Sequence, residues 1–327
     1  MSGELRAWLD AAEGSDEEFV DAVFALVLRR DPEPDARERA LAKLGEGTLS
    51  RATLVHELAG APEFERIRLL DDGIAFARGA RERGERPRWL QGPPDTDERV
   101  IEVPWVLARL AGRRALEVGY AFAEPPYLAA LLQAGFEELA GVDLAAADVP
   151  GLAGVRADVR DLPFDDGAFD LVLCVSTLEH VGADNTGYGL DAENDADSRH
   201  TALRELRRVL AAGGRLLITV PCGEPGDYGW FRQDDVRGWT RLFTGAGFFV
   251  EEQEVYELTG DGWRAAPDLD STGLRYGERG PAASAVLCAE LSPRRLRRLL
   301  SPDGIERTAR RRAPQSLRRI RRIPRTG

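Results

Sequence analysis

From Val100 onward the chain alternates short, continuously apolar runs with stretches of helical periodicity: RALEVG, ELAGVDL, VRADV, FDLVLCVS, RLLITVP, FFVEEQEVY and SAVLCAEL. A run of this kind is a strand with both faces buried, and such strands belong to parallel sheets covered by helices on either side. The pattern predicts an α/β fold with a Rossmann-like, doubly wound, mostly parallel sheet. Ligands of these sheets sit beyond the carboxyl ends of the strands. The residues at or just past the ends of the first four runs are thereby singled out: Glu117 and Gly119, then Asp143, then Asp158, then Ser176, Thr177, Leu178, Glu179 and His180.

Upstream the periodicity changes. SDEEFVDAVFALVLRRDPEPD places Phe19, Val20, Val23, Phe24 and Val27 on one helical face, with Ser15 and Glu18 as a capping box. A second helix is expected over about Asp35 to Leu44. A third, capped by Ser50, buries Leu54, Val55 and Leu58, and Pro62 opens another. Gly92-Pro93-Pro94 marks a linker. The expected organisation is a small all-α docking domain (1–68), a helical and charged linker (69–97), the α/β domain (98–290) and a basic tail (291–327).

The tail carries 13 Arg against Asp303 and Glu306, in a chain whose net charge is −12, so the body is strongly acidic. That acidity argues against a nucleic-acid substrate. Leu296, Leu299 and Leu300, then Leu317, Ile320 and Ile323, alternate with the arginines. Short amphipathic helices on an anionic membrane surface, a solvated extension and a nucleic-acid-binding tail all fit the pattern. The acidic start and the lack of any run of 18 apolar residues predict a cytoplasmic protein, peripheral to the membrane at most. Cys174, Cys222 and Cys288 are far apart inside apolar runs and read as reduced packing residues.

The strand-end acids narrow the ligand. Asp143 lies 24 residues beyond Gly119, placed to accept hydrogen bonds from ribose hydroxyls. A dinucleotide site does not require Glu117 or Asp158, and it needs more converging N–H groups than a turn with one glycine offers. The elements ALEVG, GVDL, RADVRDLPFDDGAFDLVLCVSTLEHVG, ALRELRRVLAAGGRLLITVP and LFTGAGFFVEEQEVYE, in this order, resemble the class I S-adenosylmethionine-dependent methyltransferases. ERVIEVPWVL, DGWRAA and RYGERGPAASAVLCAEL suggest a bacterial, polysaccharide-associated branch. The resemblance implies that S-adenosyl-L-methionine is the cofactor. Glu117, Gly119 and Tyr120 would meet its methionine part, Asp143 and Leu144 the ribose, and Asp158 and Val159 the adenine, with Ser176 and Thr177 as floor. Where the family has further small residues this chain has Ala121 and Ala123, then Pro125 and Pro126, which add methyl groups and remove amide donors. Weakened cofactor binding is expected, and a non-catalytic scaffold is the alternative function.

Upstream, EEFVDAVFALVLRRDPEPD and LGEGTLSRATLVHELAGAPEFE resemble a helical domain of unknown function similar to phycobilisome linkers and common beside bacterial glycan-modifying enzymes. It implies a protein partner for the helical domain and a small-molecule or glycan acceptor in surface glycan biosynthesis.

Methyl transfer needs alignment and, for a hydroxyl acceptor, a base. His180 is the candidate base, or an anchor of its loop. Tyr188, Tyr228, Trp230 and Arg232 suit a sugar or sugar phosphate, although Trp230 equally reads as core. The acidic loop with Asp184, Asp191, Glu193, Asp195 and Asp197 reads as lid, calcium-like cluster or solvated loop; its spacing completes no EF-hand, and no metal is expected.

Overall fold

The computed structural model describes residues 14–145, 147–189, 194–195, 197–280 and 282–293. The tail beyond Pro293, with its expected amphipathic helices, and the loop acids Asp191 and Glu193 lie outside those residues.

Helix α1 (Asp16–Val27) opens on the expected capping box. The Ser15 hydroxyl accepts from the Glu18 N–H at 3.2 Å, and the Glu18 carboxylate accepts from the Ser15 N–H at 2.8 Å. Helices α2 (Pro34–Gly45) and α3 (Arg51–Ala59) close on it, and Phe19, Val20, Val23, Phe24, Val27 and Leu54 make a separate small core. Helix α4 (Pro62–Glu82) then runs across residue 68 without a break. Its Leu70, Ile74 and Ala77 pack in one cluster with Ile101 and Trp105 of helix α5 (Arg99–Leu107). The segment between them is tied to the sheet: Arg86 pairs with Glu290 at 2.8 Å, and Gly92 bridges to Trp263. Residues 69–97 are therefore part of the layer that covers the sheet. The sequence hid this because the buried face of α4 is a few apolar positions scattered among arginines.

Five parallel strands form the half of the sheet that carries the site: β1 (Arg114–Val118), β2 (Glu138–Asp143), β3 (Ala153–Arg156), β4 (Phe169–Val175) and β5 (Leu210–Pro221). A two-residue ribbon, β6 (Gly226–Asp227) and β7 (Arg232–Gln233), stands outside it. Strands β8 (Phe248–Thr259), β9 (Gly262–Ala265) and β10 (Ala285–Pro293) complete the order β3-β2-β1-β4-β5-β10-β8-β9, with β10 antiparallel to both neighbours. The reversal of strand order lies between β1 and β4, where such a sheet opens a crevice. Six of the seven expected runs are strands over most of their length, while of VRADV only Val155 and Arg156 lie in β3, which starts earlier at Ala153; the short β9, a hairpin partner of β8, lies beyond them.

Side chains alternate across the sheet as period-two geometry demands. Leu116, Val118, Val172, Cys174, Leu216 and Ile218 face helices α7 (Ser198–Val209) and α8 (Val236–Gly245) through Leu203, Leu206, Trp239 and Phe243. Ala115, Leu171, Leu173 and Leu217 face the other way, toward α4, α5 and helix α6 (Pro125–Leu132). The three cysteines are free and buried. Among the described residues no helix is long and apolar enough to cross a membrane.

Candidate active site

Strand β1 ends in Val118, and the chain turns at Gly119 with φ +90°. A Cβ there would collide with the Thr177 hydroxyl and stand 2.9 Å from Thr177 Cγ2, so glycine is required twice, by conformation and by space. Thr177 is itself fixed, because its hydroxyl reaches the carbonyls of Val118 and Val175 at 3.1 and 2.9 Å.

The turn after Gly119 is pinned to the end of β2. Asp143 accepts from the Ala121 N–H at 3.0 Å and from the Ala145 N–H at 2.9 Å. Burial raises its pKa, partly offset by those backbone hydrogen bonds. A carboxylate has about four acceptor positions, so a ligand's hydroxyls can still be received by oxygens already held in place. The alanine at 121 therefore supports the site through its backbone. Pro125 and Pro126 occupy the first positions of α6, where the missing N–H groups have no partner within a helix anyway.

A crevice of about 230 Å³ opens over these strand ends, and Glu117, Gly119, Asp143, Leu144, Asp158, Val159, Ser176, Thr177 and His180 all line it. Burial pushes the Glu117 carboxyl well above its ordinary pKa, against the hydrogen bond it receives from the Tyr127 hydroxyl at 2.8 Å. For Asp158 burial pulls upward too, but the Arg160 guanidinium, 2.6 Å away, and the Arg160 N–H hold it below the usual carboxylate range. Ser176, at φ +42°, donates to Glu102 of α5 at 2.6 Å.

Tyr120 is a correction. It is 2% exposed and does not line the crevice: its ring packs where side chains on Gly141 and Gly154 would stand, and its hydroxyl donates to the Ala147 carbonyl at 3.1 Å. It braces β2 and β3 from beneath. Phe122, by contrast, is an exposed wall of the crevice.

His180 ends a short 3-10 turn after β4, and its Nδ1 lies 2.9 Å from the Trp230 carbonyl. A neutral ring that donates from Nδ1 keeps Nε2 as its basic nitrogen. Burial holds its pKa below the ordinary value, and Arg99 adds to this, which favours that neutral form. His180, Ser176 and Arg99 also line a second chamber of about 130 Å³, together with Glu98, Glu179 and Trp230.

Of the expected acceptor residues only Trp230 lines that chamber. Arg232 is 8% exposed and is spent on a loop clasp, donating to the carbonyls of Gly182 and Asp195 at 3.0 and 3.2 Å and pairing with Asp227 at 3.1 Å. Tyr228 stacks on Phe231 with ring centres 4.6 Å apart and accepts from the Tyr276 N–H at 3.0 Å, which makes it a support of the wall. Tyr188 belongs by its backbone to a turn over Thr186–Tyr188; its side chain lies outside the described structure. No metal cluster occurs among the described residues.

Glu98, Arg99 and Glu102 escaped the sequence reading because they precede the first strand. The available signal was Glu102 within the otherwise apolar VIEVPWVL, a charge that a buried helix holds only with a partner. That partner is Arg99, at 2.5 Å.

An adenosyl sulfonium amino acid brings hydroxyls, an exocyclic amine, an ammonium and a sulfonium, and no phosphate. The crevice offers Asp143, Asp158 and Glu117 between the apolar walls of Leu144, Val159 and Phe122, and its helix opens on prolines that cannot cradle a pyrophosphate. The residues fit that group.

Residues 116–218 match the protein family described as "Methyltransferase domain". Among curated proteins, the chain is 31% identical over 117 residues to a ubiquinone/menaquinone biosynthesis C-methyltransferase of Hahella chejuensis, covering 36% of this chain and 41% of that one. It is also 40% identical over 78 residues to an Encephalitozoon cuniculi protein named as a candidate methyltransferase, covering 24% and 30%. The chain thus spans less than half the length of these relatives. Similar solved structures include a Burkholderia thailandensis 1,6-didemethyltoxoflavin N1-methyltransferase (16% identity, 72% of this chain and 92% of that one, TM-score 0.41) and a Thermotoga maritima S-adenosylmethionine-dependent methyltransferase (19%, 58% and 87%, TM-score 0.38), likenesses too distant to carry chemistry across. The sheet order and the strand-end acids thus fall on the residues that match this methyltransferase-domain family, and the crevice they form fits S-adenosyl-L-methionine.

Proposed function

We propose that this chain moves the methyl group of S-adenosyl-L-methionine to a small, carbohydrate-type acceptor in bacterial surface glycan biosynthesis. The supporting observation is that Glu117, Asp143 and Asp158 share one crevice, and that His180 lines both it and the smaller chamber. When bound, the cofactor supplies a methyl carbon already activated by a positive sulfur. Asp143 receives the ribose hydroxyls, Asp158 with Val159 receives the adenine, and Glu117 lies at the amino-acid end. Leu144 and Phe122 exclude water. His180, neutral through burial, takes the proton that the acceptor hydroxyl loses. The N-terminal helices serve as the docking surface for a protein partner, and the basic tail keeps the enzyme close to anionic membrane.

The test is methyl transfer from labelled cofactor to a panel of sugars and sugar phosphates. His180→Gln is expected to lower kcat about 100-fold while leaving the affinity for S-adenosylhomocysteine within about twofold. An unchanged kcat assigns His180 to holding its loop.

A further inference from the structure

The chamber beyond His180 has a chemistry of its own. Two carboxyl groups line it, Glu98 (8% exposed) and Glu179 (3% exposed), and Oε2 of Glu179 has no hydrogen-bond partner among the described residues. Leaving a buried polar atom unmatched costs about 1 to 3 kcal/mol, a cost that a ligand able to donate a hydrogen bond recovers. Glu98 accepts one bond, from the Ala283 N–H at 3.1 Å. Among the described residues the one guanidinium lining the chamber, Arg99, is already engaged by Glu102 at 2.5 Å.

The rings of Trp230, Phe231 and Tyr276 line the same chamber. Trp230 meets Tyr276 edge-on with centres 5.9 Å apart, and Phe231 lies 4.7 Å from Tyr276. Carboxyl groups beside aromatic rings suit one kind of head group, a cation with several N–H donors. The rings attract it through their quadrupoles, and the carboxyl oxygens accept its N–H groups. An anion meets two acids here, and a neutral hydroxyl satisfies one oxygen without drawing on the rings.

We propose that this chamber binds the amino group of the acceptor, so that the substrate is an amine-bearing small molecule such as an amino sugar; this rests on the methyl-transfer reading above. It makes Glu98 and Glu179 specificity residues.

The experiment titrates the full chain, saturated with S-adenosylhomocysteine, with D-glucosamine and with D-glucose, following heat and tryptophan fluorescence. Glucosamine is expected to bind at least about tenfold more tightly than glucose. Glu179→Gln is expected to remove that preference and to leave S-adenosylhomocysteine affinity within about twofold. Glu98→Gln, tested the same way, decides the matter if Glu179→Gln fails to fold. Equal binding of the two sugars, no saturable glucosamine binding up to about 10 mM, or an intact preference in the folded variants overturns the proposal. Failure of S-adenosylhomocysteine to bind overturns the methyl-transfer reading instead, and the same sugar comparison without it still decides the chamber.

Discussion

Gly119 and Thr177 meet where β1 and β4 part: the glycine's missing side chain is the space the threonine hydroxyl occupies on its way to the Val118 and Val175 carbonyls. The two residues close the floor of the crevice from opposite strands. Gly119→Ala must adopt a left-handed backbone and push aside a side chain whose one hydroxyl proton is shared between two carbonyls, and is expected to cost about 2 to 4 kcal/mol in urea unfolding. Adding Thr177→Ala removes the collision but leaves the backbone strain, so the double variant recovers part of that loss.

Arg232 is a clasp in this structure. Arg232→Ala leaves the Asp195 carbonyl without its donor and the Gly182 carbonyl with the Asp195 N–H alone, and is expected to cost about 1 to 3 kcal/mol in urea unfolding. Its S-adenosylhomocysteine affinity changes far less than its stability. A large loss of acceptor binding with stability intact would return Arg232 to the acceptor site.

Glu98 links stability to pH. Burial first, and Glu102 second, push its pKa from 4.5 to about 7. The folded chain thus keeps a proton that the unfolded chain has released, and stability falls as pH climbs from 4.5 through about 7. Glu98→Gln retains an acceptor for the Ala283 N–H and removes the titration. Relative to the parent chain it is expected to gain up to about 3 kcal/mol between roughly pH 5 and pH 8, read from urea unfolding at each pH.

The parts of this site readable in the sequence are those fixed by one strand and its turn. Gly119, Asp143 and Asp158 follow apolar runs whose identity as parallel strands dictates where their ends lie, and a single-glycine turn already separated a sulfonium ligand from a pyrophosphate. What escaped depends on which way a side chain turns after the strand. Tyr120 adjoins Gly119 in sequence but goes beneath β2, into space left by Gly141 and Gly154, two glycines that carried no such meaning before the strands were paired. Arg232 looked like a ligand for anionic sugars because the clasp it serves joins segments about 40 to 50 residues apart. Glu98 and Arg99, at the start of a helix before the first strand, reach the chamber only through tertiary packing, and Glu102 one turn on holds Arg99 there.

The central claim is that the strand-end acids hold an adenosyl cofactor in a crevice preset by the Ala121 and Ala145 amides on Asp143. Calorimetric titration of S-adenosylhomocysteine into the parent chain and into Asp143→Asn tests it most directly, since the amide keeps the shape but turns a donor toward one of those N–H groups. The account predicts micromolar binding by the parent chain and at least about tenfold weaker binding by the folded variant. No binding by the parent chain, or equal binding by both, contradicts it.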